Sequence, residues 1–354
     1  MKELLLRHIS KYPHLEIQDL VKLIYQNEFA GEHMILDEKS SLERLQKEWE
    51  TSSEVSSFDM DLFEDIGSGL CRLHLAPLKH CTLSLETLNR LFIYTANTIK
   101  GTVSSFEGKL NTLLSCCKTE EIPFSYIEVK GYLDDYKNQG YPPTHHSNTF
   151  RQYYNPSYRI VKKEFADYLN LFCAIDTLVK DRLAVTIGID GNSGSGKSTL
   201  AALLGGIYKC NLFHMDDFFL RPEQKTKERL AEIGGNVDYV RFKEEVANQL
   251  DKKQTFTYQI YDCSIGQLTE YVTVHPKNIN IIEGVYSLHP FLCEMYQLKV
   301  FMSIDADSQS RRILQRSGPR LHQRFVAEWI PLENAYFTAM QIEQSADLVF
   351  RTND

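Results

Sequence analysis

The segment Gly191-Asn192-Ser193-Gly194-Ser195-Gly196-Lys197-Ser198-Thr199 holds the pattern G-x-x-x-x-G-K-S. Each residue type in it has a physical task. The glycines let the backbone curl until successive N–H groups converge on an anion. A helix that begins at Lys197 adds the positive end of its dipole. The Lys197 ammonium supplies a point charge for β- and γ-phosphates, and the Ser198 hydroxyl is a ligand for Mg²⁺. The segment predicts a nucleoside triphosphate site, with ATP and Mg²⁺ as cofactors. In this reading Lys197 faces solvent until a phosphate binds.

A phosphate loop alone does not separate kinases from GTPases, motors or transport ATPases. No N-K-x-D guanine-reading sequence is present. The acids further along are more informative. Phe213-His214-Met215-Asp216-Asp217-Phe218-Phe219 ends a short strand with two carboxylates. A kinase needs a carboxylate there to accept the proton of an acceptor hydroxyl and to help hold Mg²⁺. An aspartate before an apolar pair also serves as a helix N-cap. Ile281-Ile282-Glu283-Gly284 is a second apolar strand that ends in an acid, with Glu283 facing the metal. An ordinary strand-to-turn junction has the same look. Ser198, Asp216 and Glu283 form the candidate metal set. Arg311, Arg312, Arg316, Arg320 and Arg324 follow in one short stretch. Arg312, Arg316 and Arg320 share a face at four-residue spacing, although Gly318-Pro319 breaks the helix before Arg320. Guanidinium forks neutralise charge on a phosphoryl group in transfer, and a solvated basic face reads the same way. Lys197, Asp216, Arg312 and Arg316 are the candidates for catalysis.

These residues need a sheet to hold them. Residues 184–189 are a continuous β-branched run, as a buried parallel strand requires. The glycine-rich turn and a helix through Ala202 and Leu204 follow. Strands are predicted at 211–214, 280–283, 299–304 and 347–350, and a helix at 238–250. Strands alternating with helices imply βαβ units and a mostly parallel sheet covered on both faces. The expectation is a three-layer α/β/α domain over 181–354, preceded by a mainly helical accessory domain over 1–180.

The loop G-N-S-G-S-G-K-S-T, the strand end H-M-D-D-F-F and the strand I-I-E-G, in that order, resemble the uridine kinase, phosphoribulokinase and pantothenate kinase superfamily. The D-D-F-F stretch is also similar to that of nicotinamide riboside kinases. The resemblance covers about residues 180–354, and the layout looks like that of bacterial uridine-kinase-like proteins with a long N-terminal extension. It implies a P-loop kinase fold and phosphoryl transfer from ATP to a small-molecule hydroxyl acceptor. It gives Asp216 the role of catalytic base, with Asp217 beside the substrate. It maps the aspartate that binds sugar hydroxyls to Asp238, the Y-D of a base-binding hairpin to Tyr261-Asp262, and the arginine lid to Arg311, Arg312 and Arg316. One departure stands out. In uridine kinases the hairpin continues to a histidine that contacts the pyrimidine. Here Cys263-Ser264-Ile265-Gly266-Gln267-Leu268 follows, with no histidine. A site that reads a base by hydrogen bonds loses strongly when a partner is missing, so an acceptor other than uridine or cytidine is expected.

Residues 1–180 carry no motif of their own. Apolar residues recur at helical spacing over 14–29, 40–49, 83–99, 106–117, 124–136 and about 159–179. Residues 51–57 read as a loop, Pro142-Pro143 as a break and Asn155-Pro156 as a turn. From Tyr141 to Lys163 basic and aromatic residues interleave through His145, His146, Arg151, Tyr153, Tyr154, Tyr158, Arg159 and Lys162. The pattern suits a surface that stacks bases or binds anions. Core tyrosines followed by a charged helix face suit it equally. Glu28, Glu32 and His33 are expected to be solvent-exposed.

Composition bounds these readings. Of 354 residues, 43% are hydrophobic, enough for a sizeable core. A net charge of −8 argues against a dedicated nucleic-acid binder. Apolar runs have strand length, too short for a membrane helix. The N-terminus, with Glu3 inside it, does not read as a signal peptide. The eight cysteines show no C-x-x-C pair and read as reduced thiols of a cytoplasmic protein. Two function classes remain. One is an ATP-dependent kinase for a nucleoside-like or polyol metabolite, with a homo-oligomer left open. The other is an NTP-dependent regulatory switch whose N-terminal half binds a protein or nucleic acid. The pair Asp216 and Glu283 separates them, because a switch needs no acid beside an acceptor pocket.

Overall fold

A computed structural model describes residues 1–31, 35–52 and 61–352. Two compact units divide it, Met1–Cys173 and Ala174–Asp354. The division falls within the helix Leu169–Asp181. No helix among the described residues is long and apolar enough to cross a membrane. All eight cysteines are free thiols.

The first unit is mainly helical, with one sheet that the apolar spacing did not reveal. Its helices include Lys2–Lys11, Ile17–Phe29, Glu38–Thr51, Leu85–Thr98, Val103–Lys118 and Tyr126–Asn138. Side-chain oxygens of Asp37, Ser84 and Thr102 cap three of them, accepting from first-turn N–H groups. Leu20, Leu23, Ile24, Phe106, Leu113 and Val129 pack in the core. The strands β1 (Phe63–Gly67), β2 (Leu70–His74) and β3 (Tyr158–Lys162) form an antiparallel sheet in that order. The helix expected over about 159–179 is therefore wrong at its start. Ile160 and Val161 are buried in β3 beside β2, and that pairing overrides the helical spacing. The loop expected over 51–57 falls mostly outside the described residues, and the helix before it runs through Thr51.

A polar chain threads this unit. Asp19 is fully buried and accepts from His146 Nδ1 at 2.8 Å and from the Ser147 hydroxyl at 2.6 Å. His146 Nε2 lies 2.5 Å from the Tyr158 hydroxyl, which accepts from Gln26 Nε2 at 3.1 Å. Gln26 Oε1 accepts from Arg72, and Arg72 meets Glu64 at 3.4 Å. The Tyr12 hydroxyl donates to Glu64 at 3.1 Å. Only one set of donor directions satisfies an acceptor-only Asp19 at one end and Arg72 at the other.

Much of the interleaved basic and aromatic stretch is engaged within the unit, while His145, Arg151 and Tyr153 are exposed. Arg159 pairs with Glu48, Lys162 with Glu164 and Lys163 with Asp65. His146 and Phe150 stack in the interior, 4.1 Å apart. Glu28 is also not exposed as expected. It is buried against Lys109 Nζ at 2.6 Å and the Thr102 N–H at 2.8 Å, because the helix Val103–Lys118 covers it. Glu32 and His33 lie outside the described residues.

The second unit is a three-layer α/β/α domain. Its strands are β4 (Val185–Gly191), β5 (Cys210–His214), β6 (Phe256–Asp262), β7 (Gln267–Val274), β8 (Ile279–Glu283), β9 (Leu298–Ser303) and β10 (Leu348–Arg351). Five form a wholly parallel sheet, in the order β10-β9-β4-β8-β5. The central strand β4 is buried at every residue, as its continuous apolar run requires. β6 and β7 form a separate antiparallel hairpin. Asp238 caps the helical run that begins at Tyr239 and continues through Leu250. The helix Ala306–Arg324 bends where Gly318 takes φ 75°, directly before Pro319.

Candidate active site

Three neighbouring strands end at one level. In the parallel register, Ile189 of β4 and His214 of β5 both pair with Glu283 of β8. Beyond these ends lie the phosphate loop, the turn Met215–Phe218 and Gly284. Topology therefore brings Lys197, Asp216 and Glu283 to the carboxyl edge of the sheet, where open α/β folds hold ligands. Close backbone approach makes this possible. A Cβ at Gly191, which has φ 138°, would lie 2.0 Å from the Met302 carbonyl oxygen. One at Gly284, also with φ 138°, would lie 2.8 Å from Met215 Cβ.

Ser198 Oγ sits 3.1 and 3.2 Å from the two Glu283 oxygens. His214 Nδ1 lies 2.6 Å from Glu283 Oε1, and this hydrogen bond holds the imidazole pKa above its ordinary value. The walls of the site strip solvent from Asp216 and raise its carboxyl pKa. The charge of Glu283 raises it further, while Lys197 opposes both. Burial also raises Asp217, which accepts from the Tyr258 hydroxyl at 3.3 Å.

Lys197 does not face solvent as expected. It is 8% exposed, and its ammonium donates to the Gly191 and Asn192 carbonyls at 2.8 and 3.0 Å. A buried ammonium must be hydrogen-bonded, and the carbonyls of its own loop are within reach of its stem.

Other elements clasp the loop. Glu333, from the helix Ile330–Ala339, accepts from the Ser193 N–H at 3.0 Å and from its hydroxyl at 2.5 Å. Gln309 donates to the Ser193 carbonyl at 2.9 Å, and Thr352 to that of Ser195 at 2.7 Å. Arg312 reaches the Gly194 carbonyl at 3.3 Å. Beneath the loop, Asp190 is fully buried and accepts from the Gly191, Tyr286 and Leu288 N–H groups and from the Tyr336 hydroxyl. Burial still pushes its carboxyl up to about 6. The motif reading gave no role to Asp190, His214 or Glu333. His214 stood inside a quoted stretch, whereas Glu333 had no local signal at all.

The cleft above this edge measures about 1690 Å³. That exceeds the roughly 300–1,000 Å³ of a single small-molecule pocket and leaves room for two ligands. Loop residues, Asp216, Asp217 and Glu283 line it, as do Tyr261 and Asp262 of the hairpin. Arg312, Arg316 and Arg324 line it from the lid side. Arg311 turns to the Ser308 hydroxyl at 3.0 Å, and Arg320 is exposed beyond the Gly318 bend. Asp238 is buried, with one oxygen capping its helix and the other accepting from Gln224 at 2.6 Å. Its neighbour Asn236 takes the place on the cleft wall.

The donors at the strand ends suit Mg²⁺. A hydroxyl and two carboxylates are hard oxygen ligands, and Mg²⁺ prefers one or two carboxylates completed by phosphates and water. No group of three or more His, Cys, Asp or Glu among the described residues is suited to hold a metal ion.

No family model matches this chain. Curated relatives do. A uridine kinase of Bacillus mycoides (strain KBAB4) is 32% identical over 143 residues, which is 37% of this chain and 66% of that protein. A uridine kinase of Bacillus cereus (strain B4264) is 30% identical over the same shares. The chain thus spans just under two thirds of the length of these relatives. Among solved structures, a possible uridine kinase from Bacillus stearothermophilus is similar to 53% of this chain over 99% of its own. The identity there is 22% and the TM-score 0.42.

Proposed function

Because the chain belongs to the P-loop kinase superfamily, we propose that it is an ATP- and Mg²⁺-dependent phosphotransferase acting on a hydroxyl of a small nucleoside-like or polyol metabolite. The observation that carries this reading is the meeting of Ser198, Glu283 and Asp216 at adjoining strand ends. A nucleotide switch requires a metal ligand and a positioned water, but no second acid opening on an acceptor space.

In this mechanism Lys197 leaves the loop carbonyls and follows the β/γ-phosphates. Ser198 and Glu283 would hold Mg²⁺, together with Asp216. Such an ion would supply charge neutralisation and orientation of the triphosphate. Asp216 accepts the proton of the attacking hydroxyl. Arg312 and Arg316 neutralise charge on the phosphoryl oxygens in transfer. Tyr261 and Asp217 flank the acceptor, and Asp238 supports that wall through its helix cap.

The hairpin turn points to the acceptor class. Cys263 is exposed and lines the cleft where uridine kinases continue toward a base-reading histidine. We expect steady-state assays to give poor or absent turnover of uridine and cytidine, and turnover of another hydroxylated metabolite. A kcat/KM for uridine of about 10⁴ M⁻¹s⁻¹ or more, within the ordinary enzyme range, would reject that specificity.

A further inference from the structure

Glu333 is an acid inside a loop built for anions. It is 5% exposed, and both of its oxygens are engaged by Ser193 alone, one by the N–H and one by the hydroxyl. Its helix is tied to the same region a second time, through the Tyr336 hydroxyl on Asp190 at 2.8 Å. Glu333 and Tyr336 are three residues apart and so share a helix face. Lys197 and Asp216 are both near enough to act on the Glu333 charge. The carboxylate therefore holds donors of the loop close to the lysine that the nucleotide reading assigns to the β- and γ-phosphates.

We propose that Glu333 is an internal anion that occupies the Ser193 donors until the terminal phosphate of ATP takes them, releasing the helix Ile330–Ala339 from the loop. This rests on the nucleotide reading given above. Two anions cannot share one N–H, and close like charges in a site poor in water repel strongly. The terminal phosphate, not the inner ones, is the competitor, so the contact discriminates ATP from ADP. It also makes Glu333 a positioning residue, since it acts on the loop and on its own helix rather than on the acceptor.

The test is equilibrium binding of ADP and of a non-hydrolysable ATP analogue to the full chain, with Mg²⁺, in wild type, Glu333→Gln and Ser193→Ala. Glutamine keeps the shape and one acceptor but removes the charge. The expected result is about tenfold tighter binding of the ATP analogue by Glu333→Gln, near 1.4 kcal/mol, with ADP changed far less. In a Ser193→Ala background the gain from Glu333→Gln should shrink, because the hydroxyl for which the two anions compete is gone. Trp329, directly before this helix and on the cleft wall, gives an independent readout. The chain has two tryptophans, so Trp49→Phe isolates its emission. In that background the ATP analogue should shift Trp329 emission, and Glu333→Gln should show much of the shift before any ligand is added. Equal or weaker analogue binding by Glu333→Gln, or an emission shift unchanged by it, overturns the proposal. Wild-type protein that binds neither nucleotide would reject the kinase reading itself.

Discussion

The two units hold their carboxylates in opposite ways. In Met1–Cys173, burial disfavours the charge on Asp19, Glu28 and Glu64, yet all three stay below the ordinary carboxylate range. Hydrogen bonds from His146 and Ser147 to Asp19 and from Lys109 to Glu28, and the close approach of His74, His8 and Arg72 to Glu64, outweigh the burial. In the cleft of the second unit, Asp216 and Asp217 stand above that range, because burial dominates. The first set has its counter-charges and donors built in, so its charges support the fold. The second set is held charged at a cost to stability, as expected where a cation or a substrate proton completes the site. Burial alone does not tell an architectural acid from a chemical one. What separates these two sets is whether counter-charges and donors outweigh the burial.

The largest effect expected from this contrast is at Asp216. Asp216→Asn should lower phosphoryl transfer by about 10²-fold or more, with no loss of melting temperature, since the removed charge was disfavoured. Asp217→Asn should be milder in the same assay. A larger loss at Asp217 would mean that the neighbouring carboxylate is the base. Next in size is Glu64→Gln, which leaves the guanidinium of Arg72, 1% exposed, without its counter-charge. A cost of about 3 kcal/mol or more is expected in urea unfolding, the scale for breaking a buried pair from one side. An unchanged midpoint would erase the distinction between the two units.

The pH response follows, and its sign differs along the chain. Burial holds His8 and His146 down to about 4, so they are neutral when folded and bind protons near 6.5 when unfolded. Their contribution is complete above pH 6.5 and is lost as pH falls toward 4. His214 runs the other way. With its folded pKa raised, its contribution is complete below 6.5 and is lost as pH rises through the raised value. His289, held down to about 4 by burial, adds a term of the first kind in the second unit. Pulse proteolysis read by mass spectrometry between pH 7 and 4 should find cleavage rising first within Met1–Cys173. Earlier cleavage in the second unit would contradict this ordering.

Local signals made the second unit legible. The loop, the two acidic strand ends and the continuous apolar strands each lie within a few residues, and β4, β5, β8, β9 and β10 appear within two residues of their predicted places. The bend at Gly318-Pro319 was equally local. What stayed hidden depends on distant partners. β3 is five residues long and is defined by pairing such as Leu70 with Lys162. Glu333 meets Ser193 across 140 positions. Lys197 was misread because its carbonyl partners are invisible in a motif that names only its phosphate role.

The polar chain of the first unit also has a timetable. Asp19 waits for His146 across 127 positions, and Gln26 waits for Tyr158 across 132. On the ribosome, Asp19, Gln26, Glu64 and Arg72 are all made long before the segment that completes them. At roughly 5–20 residues per second, the interval between Arg72 and Tyr158 is on the order of ten seconds. Throughout it Asp19 lacks His146 and Ser147, so the helices already made cannot close over its charge without burying it short of its donors. The nascent unit must therefore stay open until the segment around residues 144–162 has left the exit tunnel, and its folding is timed by the last of its strands rather than the first of its helices.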